Sequence, residues 1–353
     1  MSRFMTALHR DLNAYVPGEQ PQDRAYIKLN TNESPFPPSP GVAEAVREAA
    51  GRLQLYSDPE CRALTQAAAA LYGVEPENIL MTNGSDEILN FAFMVFCGPD
   101  RPAAFPDITY GFYSVFGDLH HIDCQQIPLK EDFSLDYRDY CGIHKTIFIA
   151  NPNAPTGLLL PLWQIEEILK SNPDNVVVID EAYADFSGST CLPLLDRYEN
   201  LLITRTFSKA YSMAGARLGL GIGSKALIQD LSTIKYPTNP YNVNRMTAEA
   251  GLAALRENNY YMENCQTICS TRAQTKAELE ALGFSVLDSS SNFLFARSPA
   301  IGGGDLYLAL RDRGILVRHF NAPRTQDFIR VTVGTEEQMD RFLAAVRDIL
   351  GGV

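Results

Sequence analysis

The feature that most constrains the fold is a series of short apolar segments that alternate with helical patterns between residues 79 and 223. Residues 146–150 (TIFIA) and 175–179 (NVVVI) have the length and composition of buried strands. Strands that alternate with helices at this spacing predict an α/β fold, with a parallel sheet covered by helices on both faces. In such sheets the ligand site forms outside the carboxyl ends of the strands.

Polar residues stand where these predicted strands end. Asn153, Asp180, Tyr183 and Lys209 each follow an apolar segment within a few residues. Because the carboxyl ends of parallel strands meet at one edge of the sheet, we expect these four side chains to share one site.

Lys209 lies between two apolar segments, residues 201–204 and 216–223, and follows the hydroxyl residues Thr206 and Ser208. A lysine shielded from water has a lowered pKa and can act as a Schiff-base nucleophile. Arg217 adds a fixed cation near these hydroxyls, a combination suited to a phosphate group. Taken alone, Lys209 is more simply a surface lysine in a polar turn, and the upstream residues reverse that interpretation.

A second anion site is predicted where the strand at 79–82 passes through Gly84 into an apolar helix. Free N–H groups at a helix N-terminus bind anions, and glycine permits close approach of a ligand. The alternative is a plain N-cap formed by Ser85 or Asp86.

Composition restricts the partners and the compartment. The net charge of −12 argues against nucleic acid or an anionic membrane as the partner. Seven scattered cysteines without a C-x-x-C pair predict neither a disulfide framework nor a metal site. The first residues lack the apolar core of a secretory signal, and no segment is long and apolar enough to span a membrane. We therefore expect a cytoplasmic protein.

We predict a large domain over residues 41–240 and a second unit formed by residues 1–40 and 241–353. The first 40 residues include four prolines at 35, 37, 38 and 40, which favour an extended strap. The pattern of the C-terminal part predicts a small α+β domain with an antiparallel sheet. The run Gly302-Gly303-Gly304 is expected to be a flexible turn.

A reactive lysine, an aspartate, a tyrosine, an asparagine and a phosphate cradle are what pyridoxal 5'-phosphate requires. Asp180 pairs with the ring nitrogen in this hypothesis, Asn153 and Tyr183 bond the phenolic oxygen, and Tyr110 stacks on the ring. Lys209 transfers the proton between the α-carbon of the substrate and the cofactor. The cradle consists of Gly84, Ser85, Asp86, Thr206, Ser208 and Arg217. Individually these residues also fit plainer roles: Asp180 as a cap, the tyrosines at core edges, and Asn153 as a turn former.

The motifs NPNAPTG, DEAYADF and TFSKAYSMAGARLG, in this order, resemble the fold-type I aminotransferases of classes I and II. LNAYVPGE, LNTNESPFPPSP, NGSDEILN, PYNVN and IRVTVGTEEQ resemble most closely the histidinol-phosphate aminotransferases. The resemblance implies a large domain with a seven-stranded, mostly parallel sheet, and a homodimer in which Tyr56 reaches the neighbouring subunit's cofactor phosphate. It also implies substrate contacts from Tyr15, Asn32, Arg318 and Arg330.

The expected activity is transamination of histidinol phosphate with 2-oxoglutarate, which gives imidazole-acetol phosphate and glutamate in histidine biosynthesis. Two alternatives on the same fold stay open: an aromatic amino-acid aminotransferase, and a decarboxylase of a phosphorylated amino acid. A nicotinamide-dependent enzyme is excluded because no G-x-G-x-x-G follows a first strand.

Overall fold

The computed structural model describes residues 2–10, 12, 15 and 17–351, and within them the chain forms 13 strands and 10 α-helices. The strands are β1 (Ile27–Lys28), β2 (Ile79–Thr82), β3 (Ala103–Pro106), β4 (Cys124–Ile127), β5 (Thr146–Ala150), β6 (Val177–Asp180), β7 (Leu201–Thr206), β8 (Gly219–Gly223), β9 (Ser285–Val286), β10 (Phe293–Arg297), β11 (Ile315–Leu316), β12 (Arg318–His319) and β13 (Phe328–Thr332). The helices are α1 (Pro40–Ala50), α2 (Arg62–Tyr72), α3 (Ser85–Phe96), α4 (Phe112–His120), α5 (Leu162–Ser171), α6 (Lys225–Thr238), α7 (Arg245–Arg256), α8 (Asn258–Ala281), α9 (Gly303–Asp312) and α10 (Glu336–Gly351).

The central sheet has seven strands in the order β2-β8-β7-β6-β5-β3-β4. Strand β8 is antiparallel to both of its neighbours, and the other pairs are parallel. Every residue of β5, β6 and β7 is buried, as expected for strands covered by helices on both faces. The α/β architecture predicted from the alternation is confirmed.

Side chains from the two faces of this sheet form two separate cores. Val178 and Leu202 pack on one face with α3 and α4, whereas Ile179 and Ile203 pack on the other with residues of α2, α5 and α8. This alternation follows from the two-residue period of a strand. The alternation therefore determines which side chains at the strand ends lie on the same face of the sheet and can contribute to one site.

Strand β8 brings the start of α3 to the edge of the sheet. A Cβ at Gly219 would lie 2.4 Å from the Ser85 amide nitrogen, so only glycine permits this approach of strand and helix. The N-terminus of α3 therefore points toward the ends of β6 and β7.

The small domain contains an antiparallel sheet in the order β12-β13-β10-β9, with α9 and α10 packed against it. Two short strands follow α9: β11 pairs with β1 of the N-terminal strap, and β12 pairs with β13. The glycine run is not a flexible turn. Helix α9 begins at Gly303, which is buried, and a Cβ there would lie 2.6 Å from the Gln326 carbonyl oxygen.

Helices α7 and α8 connect the two parts. Helix α7 packs on α1 and α2, and α8 begins on the large-domain core and reaches the small domain at β9 and α10. The boundary at residue 240 stays a prediction. All seven cysteines are free, and no helix among the described residues has both the length and the apolar character needed to cross a bilayer.

Candidate active site

A cavity of about 280 Å³ opens where the carboxyl ends of the central strands meet the N-terminus of α3. Its walls come from β6, the loop after β7, the start of α3 and the N-terminal strap. Nine residues predicted from the sequence line it: Ser85, Asp86, Tyr110, Asp180, Tyr183, Thr206, Ser208, Lys209 and Arg217. Gly84 is the N-cap residue of α3, directly before Ser85.

Asp180 ends β6 and is 4% exposed. Its carboxylate accepts hydrogen bonds from Thr204 Oγ1 (3.0 Å), the Ala182 amide (3.2 Å) and Tyr113 Oη (3.2 Å). Burial raises the pKa of Asp180 to about 6, although the Thr204 hydrogen bond opposes that shift. A carboxylate destabilised in this way gains from a cationic partner.

Lys209 follows β7 and extends its amine into the cavity. The amine donates to the Thr31 carbonyl oxygen at 3.1 Å and lies 5.8 Å from the centre of the Tyr183 ring. The Tyr183 hydroxyl accepts a hydrogen bond of 2.8 Å from Asn32 Nδ2, which belongs to the strap. The strap therefore contributes directly to the wall opposite the sheet.

An anion-binding end is formed by the start of α3 and Arg217. Arg217 donates to Ser208 Oγ at 3.3 Å and pairs with Asp86 at 3.2 Å, and Thr206 donates to Ser208 at 2.9 Å. A Cβ at Gly84 would lie 2.6 Å from Arg217 Nη2, so glycine leaves the space that the guanidinium occupies. Helix N–H groups, hydroxyls and a guanidinium together suit the oxygens of a phosphate.

Tyr110 closes one side of the cavity. Its hydroxyl donates to Asp86 Oδ1 at 2.7 Å, and its ring stacks against Phe112 with centroids 5.5 Å apart. Burial, together with the Asp86 carboxylate, raises the pKa of Tyr110 well above its usual value, so the phenol stays neutral.

A cationic group stands on the small-domain side. Arg330 and Arg318 are register partners on β13 and β12. Arg330 donates to the Asn30 carbonyl oxygen at 3.1 Å and lies over the rings of Phe293 and Phe320. Its Nε has no hydrogen-bond partner, and among the described residues no carboxylate is within ion-pair distance of it. Burial lowers the pKa of Arg330, which marks a guanidinium that an incoming anion would stabilise.

Besides the residues described above, three more predicted residues are absent from the lining of this cavity. Asn153 lines a neighbouring cavity of about 260 Å³. Its side-chain amide accepts a hydrogen bond from the Thr109 hydroxyl and donates to the Thr156 hydroxyl and the Ile108 carbonyl oxygen. Tyr56 is 80% exposed and stacks on Tyr241 with centroids 4.6 Å apart. Tyr15 is 45% exposed and contacts Phe112. The structure does not place these three against the other site residues, and their roles stay predictions.

Some residues of the site were not found from the sequence. Tyr113 and Thr204 hold Asp180, and Thr31 and Glu33 line the cavity from the strap. Only Thr204 carried a signal, because a hydroxyl at the end of an apolar strand adjoins the Lys209 loop. Tyr113 looks like an ordinary core residue of an apolar helix.

Comparison with known families agrees with this geometry. A family model described as aminotransferase class I and II matches residues 24–346. The histidinol-phosphate aminotransferase of Brachyspira hyodysenteriae is 48% identical over 99% of this chain and 99% of its own. That of Pseudomonas putida is 45% identical over 98% of this chain and 100% of its own.

Solved structures show the same similarity. The crystal structure of histidinol-phosphate aminotransferase from Sinorhizobium meliloti, in complex with pyridoxal-5'-phosphate, superposes with a TM-score of 0.90. It is 25% identical in sequence, and the match covers 100% of this chain and 99% of that one.

Proposed function

This chain belongs to the class I and II aminotransferase family, and we propose that it transfers the amino group of histidinol phosphate to 2-oxoglutarate with pyridoxal 5'-phosphate as cofactor. The products are imidazole-acetol phosphate and glutamate, in a cytoplasmic step of histidine biosynthesis. One observation carries the substrate assignment: relatives that match the chain from end to end at 43–48% identity bear the name of this activity.

The residues around the cavity fit the cofactor. The N-terminus of α3, Ser208 and Arg217 can hold its phosphate, and Gly84 and Gly219 stand where any side chain would collide with that cradle. When bound, the cofactor supplies an electron sink for the charge left when the α-carbon of the substrate loses its proton.

Asp180 and Lys209 have complementary roles in this proposal. The buried Asp180 carboxylate has no cation within ion-pair distance among the described residues, so a protonated pyridine nitrogen would offset the cost of its burial. Lys209 is the one lysine among the described residues that line the cavity. Its amine is therefore the group that takes the proton from the α-carbon of the substrate. Asn32 fixes the Tyr183 hydroxyl, and Tyr110 borders the cavity as a neutral ring.

The small-domain side fits an anionic substrate. Arg330 is buried without a carboxylate partner, and Arg318 lies beside it, so the pair can bind the phosphate of histidinol phosphate or a carboxylate of 2-oxoglutarate. Tyr15 and Asn32 complete this end from the strap. An acidic protein with a net charge of −12 needs such a local cationic group to attract two anionic substrates.

We also propose that the enzyme acts as a homodimer with shared sites. Leu53, Leu55 and Tyr56 are each more than half exposed, and Tyr241 stacks beside Tyr56. A second copy of the chain would cover this apolar patch. Tyr56 would then reach the cofactor phosphate of the partner instead of the cavity of its own chain.

The test is an assay of purified protein with cofactor, histidinol phosphate and 2-oxoglutarate, with glutamate measured as the product. Rapid formation of glutamate from this donor, and slow formation from aromatic amino acids, is the expected result. Release of carbon dioxide from a phosphorylated amino acid, or a preference for aromatic donors, would reject the substrate assignment while leaving the family intact.

A further inference from the structure

Asp180 and Thr204 face each other where β6 ends beside β7, and the residue after each of them, Glu181 and Arg205, forms a second pair. The register pairs Asp180 with Thr204, and the Glu181 amide continues the ladder by donating to the Thr204 carbonyl oxygen. Successive side chains of a strand point to opposite faces. The carboxylate of Asp180 therefore lies on the face of the sheet that carries Tyr113, and Glu181 and Arg205 lie on the other face.

The pair on the far face is a buried ion pair. Arg205 Nη2 is 2.8 Å from Glu181 Oε2, and their side chains are 7% and 1% exposed. Glu181 also accepts hydrogen bonds from Thr190 Oγ1 (2.7 Å) and the Cys191 amide (2.5 Å). The Arg205 guanidinium stacks over the Tyr72 ring at 5.2 Å. Neither partner touches the cavity, and the reaction described above does not use either of them.

Arg205 binds both ends of one turn. Its Nη1 pairs with Asp185 Oδ1 at 2.9 Å, while Nη2 holds Glu181. The turn between these carboxylates carries Tyr183, whose hydroxyl points to the cavity side and bonds Asn32. Burial alone would lower the pKa of Arg205, but the Glu181 and Asp185 carboxylates raise it above its usual value, so the cation persists.

We propose that Arg205 is a positioning residue: its fork fixes the turn 181–185 from behind the sheet, and so sets the placement of Tyr183 and Asp180 toward the cofactor. The inference rests on the proposed function. A planar guanidinium can bind two carboxylates at once, which the single ammonium of lysine cannot do with the same geometry. Displacement of a reacting group by about 1 Å can lower a rate by about 10²-fold.

The test uses the cofactor-loaded protein and the variants Arg205→Lys and Glu181→Gln. We expect kcat to fall about 10- to 100-fold with the KM for histidinol phosphate little changed. We also expect the pH midpoint of the visible absorption band to shift by at least about 0.5, because that midpoint depends on the groups around the ring. Arg197→Lys is the matched control, since Arg197 forms an exposed pair with Glu166 and should leave both quantities unchanged.

If the role of Arg205 is purely structural, Arg205→Lys will have a lower melting temperature, but its kcat and the pH midpoint of its visible band will equal those of the native protein. That result would overturn the proposal. If Arg205→Lys is insoluble, Asp185→Ala decides, because it removes one arm of the fork: a shifted midpoint supports the proposal and an unchanged midpoint overturns it. A native protein that never develops a visible band would instead overturn the proposed function itself, and this inference with it.

Discussion

The two ends of the proposed active site are built from different kinds of structure. The cofactor end rests on buried strand ends and a helix N-terminus, where Asp180 and Ser208 are 4% and 6% exposed. The substrate end is assembled from the strap and the small domain, and Tyr15, which is predicted for it, is 45% exposed. The large domain thus builds the cofactor end, to which, we propose, a second copy adds Tyr56, whereas the substrate end depends on segments distant in sequence.

This difference has a functional consequence. Changes at the cofactor end should act on the chemical step, because we propose that those side chains contact the cofactor ring or the reacting atoms. Changes at the substrate end should act mainly on KM, because we propose that Arg330 and its neighbours bind groups remote from the reacting carbon.

The largest effect is expected for Lys209→Ala. Loss of the amine should lower kcat by about 10²- to 10⁴-fold, because no other lysine among the described residues lines the cavity to carry the proton. The phosphate cradle should still retain the cofactor, so equilibrium dialysis should detect binding without the visible band of the native protein. Lys225→Ala, on the surface, is the control. A variant that keeps the native turnover would remove Lys209 from the mechanism.

The second-largest effect is expected for Arg330→Ala. Truncation of a buried cation that holds an anion costs about 2–5 kcal/mol, so KM for histidinol phosphate should rise by about 30-fold or more. The visible absorption of the bound cofactor should stay as in the native protein. Arg297→Ala, an exposed arginine on the adjacent strand β10, should change neither quantity. Weaker cofactor binding in Arg330→Ala with an unchanged KM would contradict the division between the two ends.

Asp180→Asn should stabilise the cofactor-free protein while it lowers turnover. The folded-state pKa of Asp180, about 6, exceeds its ordinary value, so the native fold binds a proton that the unfolded chain releases. Stability should therefore fall as the pH rises from about 4 to 6, and the variant should be more stable by about 1–3 kcal/mol above pH 7. Denaturant titration at pH 5 and pH 8 measures this difference, with Asp100→Asn as the exposed control. Equal stability of variant and native protein at pH 8 would show that burial of the ionised carboxylate does not destabilise the fold.

Tyr113→Phe should give the smallest change. Removal of the hydroxyl deletes one hydrogen bond to Asp180 and should raise the pKa of that carboxyl further, at a net cost of about 0.5–1.5 kcal/mol. We expect kcat to fall about two- to tenfold, with the loss greatest near pH 6. Tyr137→Phe serves as the control, because Tyr137 packs on Trp163 and does not line the cavity. A loss as large as that of Lys209→Ala would mean that Tyr113 takes part in the chemistry directly.

The cofactor end was largely predictable from the sequence because Asp180 and Lys209 each follow an apolar strand, and strand ends meet at one edge of the sheet. The pairing of Arg205 with Glu181 was not predictable, since the sequence does not specify the register between β6 and β7. Glu33 was hidden in an extended strap, where no periodicity distinguishes an inward from an outward side chain. The sequence also could not show that Asn153 lines the neighbouring cavity, because residues of the same loop line both cavities.

We propose that Lys209 also forms the covalent link to the cofactor, and reductive labelling measures that link. The purified protein is loaded with pyridoxal 5'-phosphate, reduced with sodium borohydride, digested and mapped by mass spectrometry. We predict one pyridoxyl group per chain, on the peptide that contains Lys209. Absence of a label, or a label on another lysine such as Lys130 or Lys235, would contradict that assignment.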